Sequence, residues 1–185
     1  MVQTKIYANT TYHYRLPLLI FLYCRYDNYP NHHRHHALQV ITHEPTRHPQ
    51  GEEIQVGNVR FKTFDMGGHE AARRLWQNYF ANVDGIVYIV DAADPTRFSE
   101  SRRELTNLLA NDALQTVPFM VLGNKIDRDG AVSRDILKQE LGLHNLTTGA
   151  DGNVPDGIRP LELFMCSVVR RSGYIDGFKW LNKFV

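Results

Sequence analysis

This sequence has few cysteines and almost no net charge, and each of these features excludes a class of protein. The 185 residues include two cysteines, Cys24 and Cys166, from which neither a Cys-x-x-Cys pair nor a Cys/His zinc site can be built. A reducing compartment is the simpler interpretation, and we expect a cytoplasmic protein. The formal net charge is only +1, so no large field attracts nucleic acid or anionic lipid, and we expect no nucleic-acid partner.

Long hydrophobic runs are also missing. The longest apolar run, Leu16 to Cys24, is much shorter than the ~20 residues with which a helix crosses a bilayer. Lys5 and Arg15 precede it, as basic residues precede the core of a secretory signal, but no small-x-small cleavage pattern follows. A secreted protein led by this run is therefore the weakest of the alternatives that the sequence leaves open.

The sequence does contain a regular alternation of strand-like and helix-like segments from Glu53 onward. This alternation predicts an α/β fold with a doubly wound, mostly parallel sheet and helices on both faces. The apolar runs 85–90 and 117–123 are typical of central parallel strands, and residues 54–64 indicate a hairpin with its turn at Gly57-Asn58.

Residues 1–43 differ from the rest of the chain because no helical or alternating period persists through them. We assign 1–43 to an atypical N-terminal segment of uncertain fold, in which Leu18 to Leu22 is suited to a first strand. Residues 44–185 form the predicted domain, and the length of the chain fits one domain.

The most specific signal is the segment Asn124–Asp127, Asn-Lys-Ile-Asp, which follows directly on a predicted buried strand. A carboxylate such as Asp127 can accept from both the ring N–H and the exocyclic amine of guanine, a donor pair that adenine lacks. The amide of Asn124 can face the other edge of the base, and the apolar stem of Lys125 can lie along the purine. The pattern therefore predicts a guanine site, while an Asn-Lys turn followed by a helix cap stays open.

A second polar segment, Asp65–His69, follows a different predicted strand. Asp65 is suited to holding a magnesium ion through water, because magnesium keeps much of its hydration shell. The backbone at Gly68 can turn an N–H group toward a terminal phosphate, and His69 is suited to orienting an attacking water in phosphoryl transfer. On its own, the segment fits a glycine turn with an exposed histidine equally well.

A third segment, Cys166-Ser167-Val168, stands at the end of another predicted strand. Small side chains there let backbone N–H groups approach the oxygen of a base. A buried strand with a core cysteine would explain this segment alone, so its weight comes from the other two.

In this order, the three segments resemble those of the small GTPase superfamily, and the sequence around them resembles its Sar (secretion-associated, Ras-related) branch. Residues 64–76, FDMGGHEAARRLW, are similar to that branch, in which histidine stands where many relatives of Ras have glutamine. The stretches 147–149, 159–167 and 173–181 are similar to it too. The similarity covers approximately residues 44–185.

The resemblance implies a function and a set of site residues. Its members are GTPases of the Arf/Sar branch that bind GTP or GDP with Mg2+, depend on a nucleotide exchange factor, and recruit the COPII coat in transport from the endoplasmic reticulum to the Golgi apparatus. It implies a cytoplasmic protein held peripherally on these membranes. The implied roles are magnesium binding by Asp65, water positioning by His69, and nucleotide contacts by Gly68, Asn124, Lys125, Asp127, Ser167 and Val168.

The sequence departs from the family in two places. It contains no Gly-x-x-x-x-Gly-Lys-Ser/Thr phosphate loop, and Arg25–Pro30, which follows the predicted first strand, has neither glycine nor lysine. Gln50 stands where a magnesium-binding threonine is expected. Either a misread gene segment explains residues 1–43, or the chain is a degenerate relative. The alternative function is thus a non-enzymatic interaction module that binds coat components through the predicted helix Glu70–Phe80.

Overall fold

A computed structural model describes residues 18–25, 50–56, 59–66 and 70–185, which form a six-stranded sheet with helices on both faces. The strands are β1 (Leu18–Arg25), β2 (Gln50–Val56), β3 (Val59–Asp65), β4 (Gly85–Asp91), β5 (Phe119–Asn124) and β6 (Leu161–Met165). The helices are α1 (Glu70–Trp76), α2 (Phe98–Leu109), α3 (Arg134–Glu140) and α4 (Tyr174–Leu181), with 3₁₀ turns at Gln77–Asn82, Pro95–Arg97 and Asp112–Leu114. The predicted α/β class is confirmed.

The strands lie in the order β2-β3-β1-β4-β5-β6. β4 pairs in parallel with β5, and β5 with β6. β1 runs antiparallel to both of its neighbours, β3 and β4, while β2 and β3 form the predicted hairpin with Val56 opposite Val59. Four strands, β3 to β6, therefore point in one direction, which matches the expectation of a mostly parallel sheet.

The direction of β1 determines where the chain leaves the sheet. The predicted strand Leu18 to Leu22 is confirmed, but Leu18 is opposite Ile89 near the end of β4 and Arg25 is opposite Arg60 near the start of β3. The carboxyl end of β1 therefore lies at the edge opposite to the carboxyl ends of β4 and β5. Arg25 consequently lies at the edge away from Asn124, and residues 26–30, which follow it, lie outside the described residues.

β4 and β5 form the centre of the core, as their continuous apolar runs predict. Every residue of β5 is buried, as are the first six residues of β4. Successive side chains of a strand point to opposite faces, so Ile86 and Tyr88 pack with α2 and α3, while Val87 and Ile89 pack with α4. Two core layers, one on each face, thus hold the parallel strands in place.

Two glycines allow α4 to pack closely against the sheet. Gly173, just before the helix, has φ +83°, and a Cβ there would lie 2.1 Å from the carbonyl oxygen of Met165. At Gly177 a Cβ would lie 2.6 Å from the sulfur of Met120. Because a side chain at Gly173 would meet both strain and a backbone clash, the approach of α4 to the end of β6 requires glycine.

A buried carboxylate joins β6, α3 and the loop after α3. Glu162 is 1% exposed and accepts hydrogen bonds from Arg134 (2.8 Å) and from the N–H groups of Gly149 (2.9 Å) and Leu163 (2.8 Å). Lys138 forms an ion pair with it at 3.0 Å. Burial alone would raise the pKa of Glu162, but the hydrogen bonds from Leu163, Lys138 and Arg134 outweigh it and hold that pKa below its ordinary value.

Helix α1 is tied to α2 by charge. Arg73 forms ion pairs with Glu100 at 2.6 Å and with Glu104 at 2.9 Å. Of the apolar face predicted for 70–80, Trp76 is buried and Leu75 is 36% exposed. In the ranges described above, no helix is long and apolar enough to cross a membrane. The predicted boundary between residues 43 and 44 lies outside those ranges and stays a prediction.

We expect Glu162→Gln to destabilise the protein by about 1–3 kcal/mol at neutral pH, because it removes the charge that Lys138 and Arg134 face. A folded-state pKa below 4.5 means that the native state binds fewer protons than the unfolded chain. The contribution of Glu162 is therefore fully present above about pH 4.5 and is lost as the pH falls through the folded-state pKa. Urea unfolding between pH 7 and pH 3 measures both effects.

The matched control is Glu140→Gln, on the exposed surface of α3. It should leave the free energy of unfolding within about 0.5 kcal/mol of the parent and its pH dependence unchanged. If both variants lost the same stability, the proposed weight of the Glu162 network would be wrong.

Candidate functional site

The ends of β4, β5 and β6 meet at one edge of the sheet because these strands are parallel. The N–H of Ala92 donates to the carbonyl of Asn124 at 2.8 Å, and the N–H of Cys166 donates to the carbonyl of Gly123 at 2.9 Å. The N–H of Ile126 donates to the carbonyl of Cys166 at 3.3 Å. The three segments that leave the strands are thus joined through their backbones, and such an edge is where open parallel sheets bind ligands.

Asn124 is the side chain that connects β5 to the segment after β6. It is 7% exposed, and its Oδ1 accepts hydrogen bonds from the N–H of Lys125 at 2.8 Å and from the N–H of Val168 at 3.1 Å. Lys125 has φ +70°, a left-handed conformation that non-glycine residues rarely adopt. The bond to Asn124 accompanies this turn, which directs the chain toward Asp127.

Asp127 is held by the third segment. The hydroxyl of Ser167, which is fully buried, donates to Oδ1 of Asp127 at 2.5 Å. The same hydroxyl accepts from the N–H of Arg170 at 3.0 Å. The bond from Ser167 lowers the pKa of Asp127, and the positive charges of Arg170 and Arg128 lower it further. Asp127 is therefore an ionised, partly exposed acceptor at neutral pH.

Lys125 forms an ion pair that no sequence motif indicated. Its ammonium lies 2.6 Å from Oδ2 of Asp91, the last residue of β4, and Oδ1 of Asp91 accepts from the N–H of Ala93 at 3.0 Å. The signal for this pair was the position of Asp91 at the end of a predicted buried strand. A carboxylate there lies beside the residue that ends the next parallel strand, since Asp91 is the register partner of Asn124.

Cys166 has a structural role in this site. It is fully buried, and burial raises the pKa of its thiol to about 12, with a smaller contribution from the charge of Asp127. A thiol with such a pKa is protonated at neutral pH and is a poor nucleophile. The interpretation of Cys166 as a core residue agrees with this environment.

The structure brings five of the predicted residues together at this edge in two hydrogen-bonded sets: Asn124 with Lys125 and Val168, and Ser167 with Asp127. Asp65, the predicted magnesium ligand, ends β3, two strands away from β4. It is opposite Ile20 of β1, which is opposite Val87 of β4, so its backbone lies roughly 10 Å across the sheet from β4. The position expected for a second magnesium-binding residue, Gln50, pairs directly with Asp65. Gly68 and His69 lie outside the described residues, and their roles stay predictions.

Fold and site together define a small GTPase domain. The structure resembles that of the Arl6 small GTPase from Trypanosoma brucei, solved with a bound nucleotide analogue, at a TM-score of 0.63 and 28% sequence identity, covering 76% of this chain and 84% of that one. The chain belongs to the ADP-ribosylation factor (Arf) family, whose model matches residues 33–185.

Two relatives place the chain within this family. It is 52% identical over 147 residues to the small COPII coat GTPase SAR1 of Giardia intestinalis, covering 79% of this chain and 77% of that protein. It is 38% identical over 154 residues to the small COPII coat GTPase SAR1 of Nicotiana tabacum, covering 80% and 78%. The predicted resemblance to the Sar branch is confirmed.

We expect Ser167→Ala to raise the pKa of Asp127 toward its ordinary value of 3.8, because the serine hydroxyl is the main cause of the lowered pKa. An NMR titration of the Asp127 carboxyl carbon measures this change directly. Ser133→Ala, which removes the capping hydroxyl of α3, is the control and should leave the titration of Asp127 where it is. An unchanged Asp127 pKa in Ser167→Ala would show that the hydroxyl does not hold the carboxylate.

Proposed function

We propose that this protein is a Sar-type small GTPase that binds and hydrolyses GTP and thereby drives assembly of the COPII coat in transport from the endoplasmic reticulum to the Golgi apparatus. The observation that carries the proposal is the group formed by Asn124, Asp127 and Ser167, in which an ionised carboxylate is presented at the joined strand ends. The relatives named as small COPII coat GTPases support the proposed coat function. We propose the coat proteins and a nucleotide exchange factor as partners, and a peripheral position on both membranes.

The donor and acceptor groups of this site suit guanine. Two backbone N–H groups occupy Oδ1 of Asn124, so its Nδ2 group is the side that offers hydrogens to an acceptor on the base. The ionised Asp127 accepts from the ring N–H and the exocyclic amine, and each charge-assisted hydrogen bond contributes about 1.5–3 kcal/mol. The stem of Lys125 covers one face of the purine, and the N–H of Val168, which donates to Asn124, holds that amide in place.

The proposed contacts to the phosphates and Mg2+ are assigned to residues that the family resemblance identifies. In the proposal Asp65 would hold Mg2+, and the ion would neutralise phosphate charge. Gly68 donates its N–H to the terminal phosphate, and His69 orients the attacking water. Because the sequence contains no Gly-x-x-x-x-Gly-Lys-Ser/Thr loop, we propose that recognition of the base supplies most of the binding free energy.

We expect Asp127→Asn to weaken binding of GDP by at least about 10-fold, since the loss of one charge-assisted bond exceeds 1.4 kcal/mol. The same change should improve binding of xanthosine diphosphate, because xanthine carries a carbonyl where guanine carries its exocyclic amine and the new amide can donate to it. Titration calorimetry with both nucleotides gives the two affinities.

Asp129→Asn is the matched control, an exposed carboxylate two positions along the same loop. It should bind GDP as the parent does. Equal GDP affinity in the parent and in Asp127→Asn would remove Asp127 from the proposed site.

The hydrolysis and coat functions have a separate test. We expect phosphate release from GTP with Mg2+ and retention of COPII coat proteins on the immobilised protein with a non-hydrolysable GTP analogue but not with GDP. His69→Leu should abolish phosphate release while retaining nucleotide binding, because it removes the group proposed to orient water. Coat retention that is independent of nucleotide, with no phosphate release, would instead support a non-enzymatic interaction module.

A further inference from the structure

We propose that Asp91 is a positioning residue of the guanine site, which holds Lys125 in the conformation that forms one wall of the base pocket. This inference rests on the proposed function, since it assumes that a purine occupies the site. It concerns a residue outside the Asn-Lys-Ile-Asp segment, since Asp91 is the last residue of β4.

Lys125 is held at both of its ends by contacts within the chain. Its backbone has φ +70° and its N–H donates to Asn124 at 2.8 Å. Its ammonium donates to Oδ2 of Asp91 at 2.6 Å. The side chains of Lys125 and Asp91 are 18% and 22% exposed, so the pair is less screened by water than a fully exposed pair.

Asp91 is itself part of the sheet. It ends β4 in register with Asn124, and the next residue, Ala92, donates its N–H to the carbonyl of Asn124 at 2.8 Å. The carbonyl of Ala92 accepts from the N–H of Val132 at 2.9 Å. With Oδ1 of Asp91 fixed by the N–H of Ala93 at 3.0 Å, the carboxylate presents Oδ2 in a constant position to the lysine.

The consequence is a lysine whose stem is positioned by the protein's own groups. A long side chain that is free in solution loses rotamer freedom when it packs on a ligand, and this loss weakens binding. The ion pair with Asp91 moves that cost from ligand binding to folding. The lysine stem contacts the face of the base, so its contribution to affinity does not depend on which group the purine carries at its edge. Asp127, in contrast, contacts the edge.

The test measures the affinities of the full chain for GDP and for inosine diphosphate, whose base lacks the exocyclic amine. We expect Asp91→Asn to weaken binding of both nucleotides by about 3- to 10-fold and to leave their ratio unchanged. Asp127→Asn should change the ratio, because it acts through the exocyclic amine. Asp91→Glu, which keeps the charge, should recover part of the lost affinity.

A double-mutant cycle separates positioning from general damage. Lys125→Met keeps an unbranched stem and removes the ammonium, so Asp91→Asn should have no further effect in that background. Asp94→Asn is the control: Asp94 follows β4 closely and pairs with Arg97 instead, so this variant should bind as the parent does. Thermal unfolding of each variant verifies that it is folded under the conditions of the titration.

Three results would overturn the inference. Asp91→Asn could bind both nucleotides as the parent does, it could lose the same affinity in the Lys125→Met background as in the parent, or it could change the ratio of the GDP and inosine diphosphate affinities. Each of them leaves the proposed guanine site intact. If the parent protein binds neither nucleotide, the proposed function fails, and the positioning role of Asp91 fails with it.

Discussion

The side-chain oxygen of Asn124 is the acceptor on which the arrangement of the site depends. It is buried at the end of β5 and receives backbone hydrogens from Lys125 and Val168, which belong to two different strand ends. A buried acceptor that loses its donors costs about 1–3 kcal/mol. The segments that follow β5 and β6 are therefore held together, because this oxygen accepts an N–H from each of them. Ser167 and Asp127 then meet as a result of that connection.

The site also depends on the packing beneath it. β4 and β5 are buried on both faces, with α2 and α3 on one side and α4 on the other. Because the core layers fix these strands, their ends are held in place relative to one another, and hydrogen bonds from the segments that follow them orient the side chains there. This is the physical reason why charged residues such as Asp91 and Asp127 can be placed accurately at the surface of a small domain.

Much of this could be predicted from the sequence where one local pattern decides the outcome. The apolar runs of β4 and β5 have few alternatives, and the spacing of Asn124 and Asp127 places two polar groups after a buried strand. The direction of β1 could not be predicted. An apolar strand shows the same sequence pattern in parallel and in antiparallel pairing, and only the neighbouring strands determine its direction. Glu162 also escaped prediction, since a lone acid within a strand does not reveal the distant arginine, lysine and backbone groups that neutralise it.

The burial of Cys166 makes its thiol a chemical probe of local opening in the fold. Its thiol lies beside Asn124 at 3.8 Å, inside the junction of the strand ends, and reacts only as a thiolate in contact with solvent. An alkylating reagent can therefore modify it only during the fraction of time in which that junction is open. The rate of modification at this position reports how often β5 and β6 separate at their ends, and a ligand that bridges them would slow it.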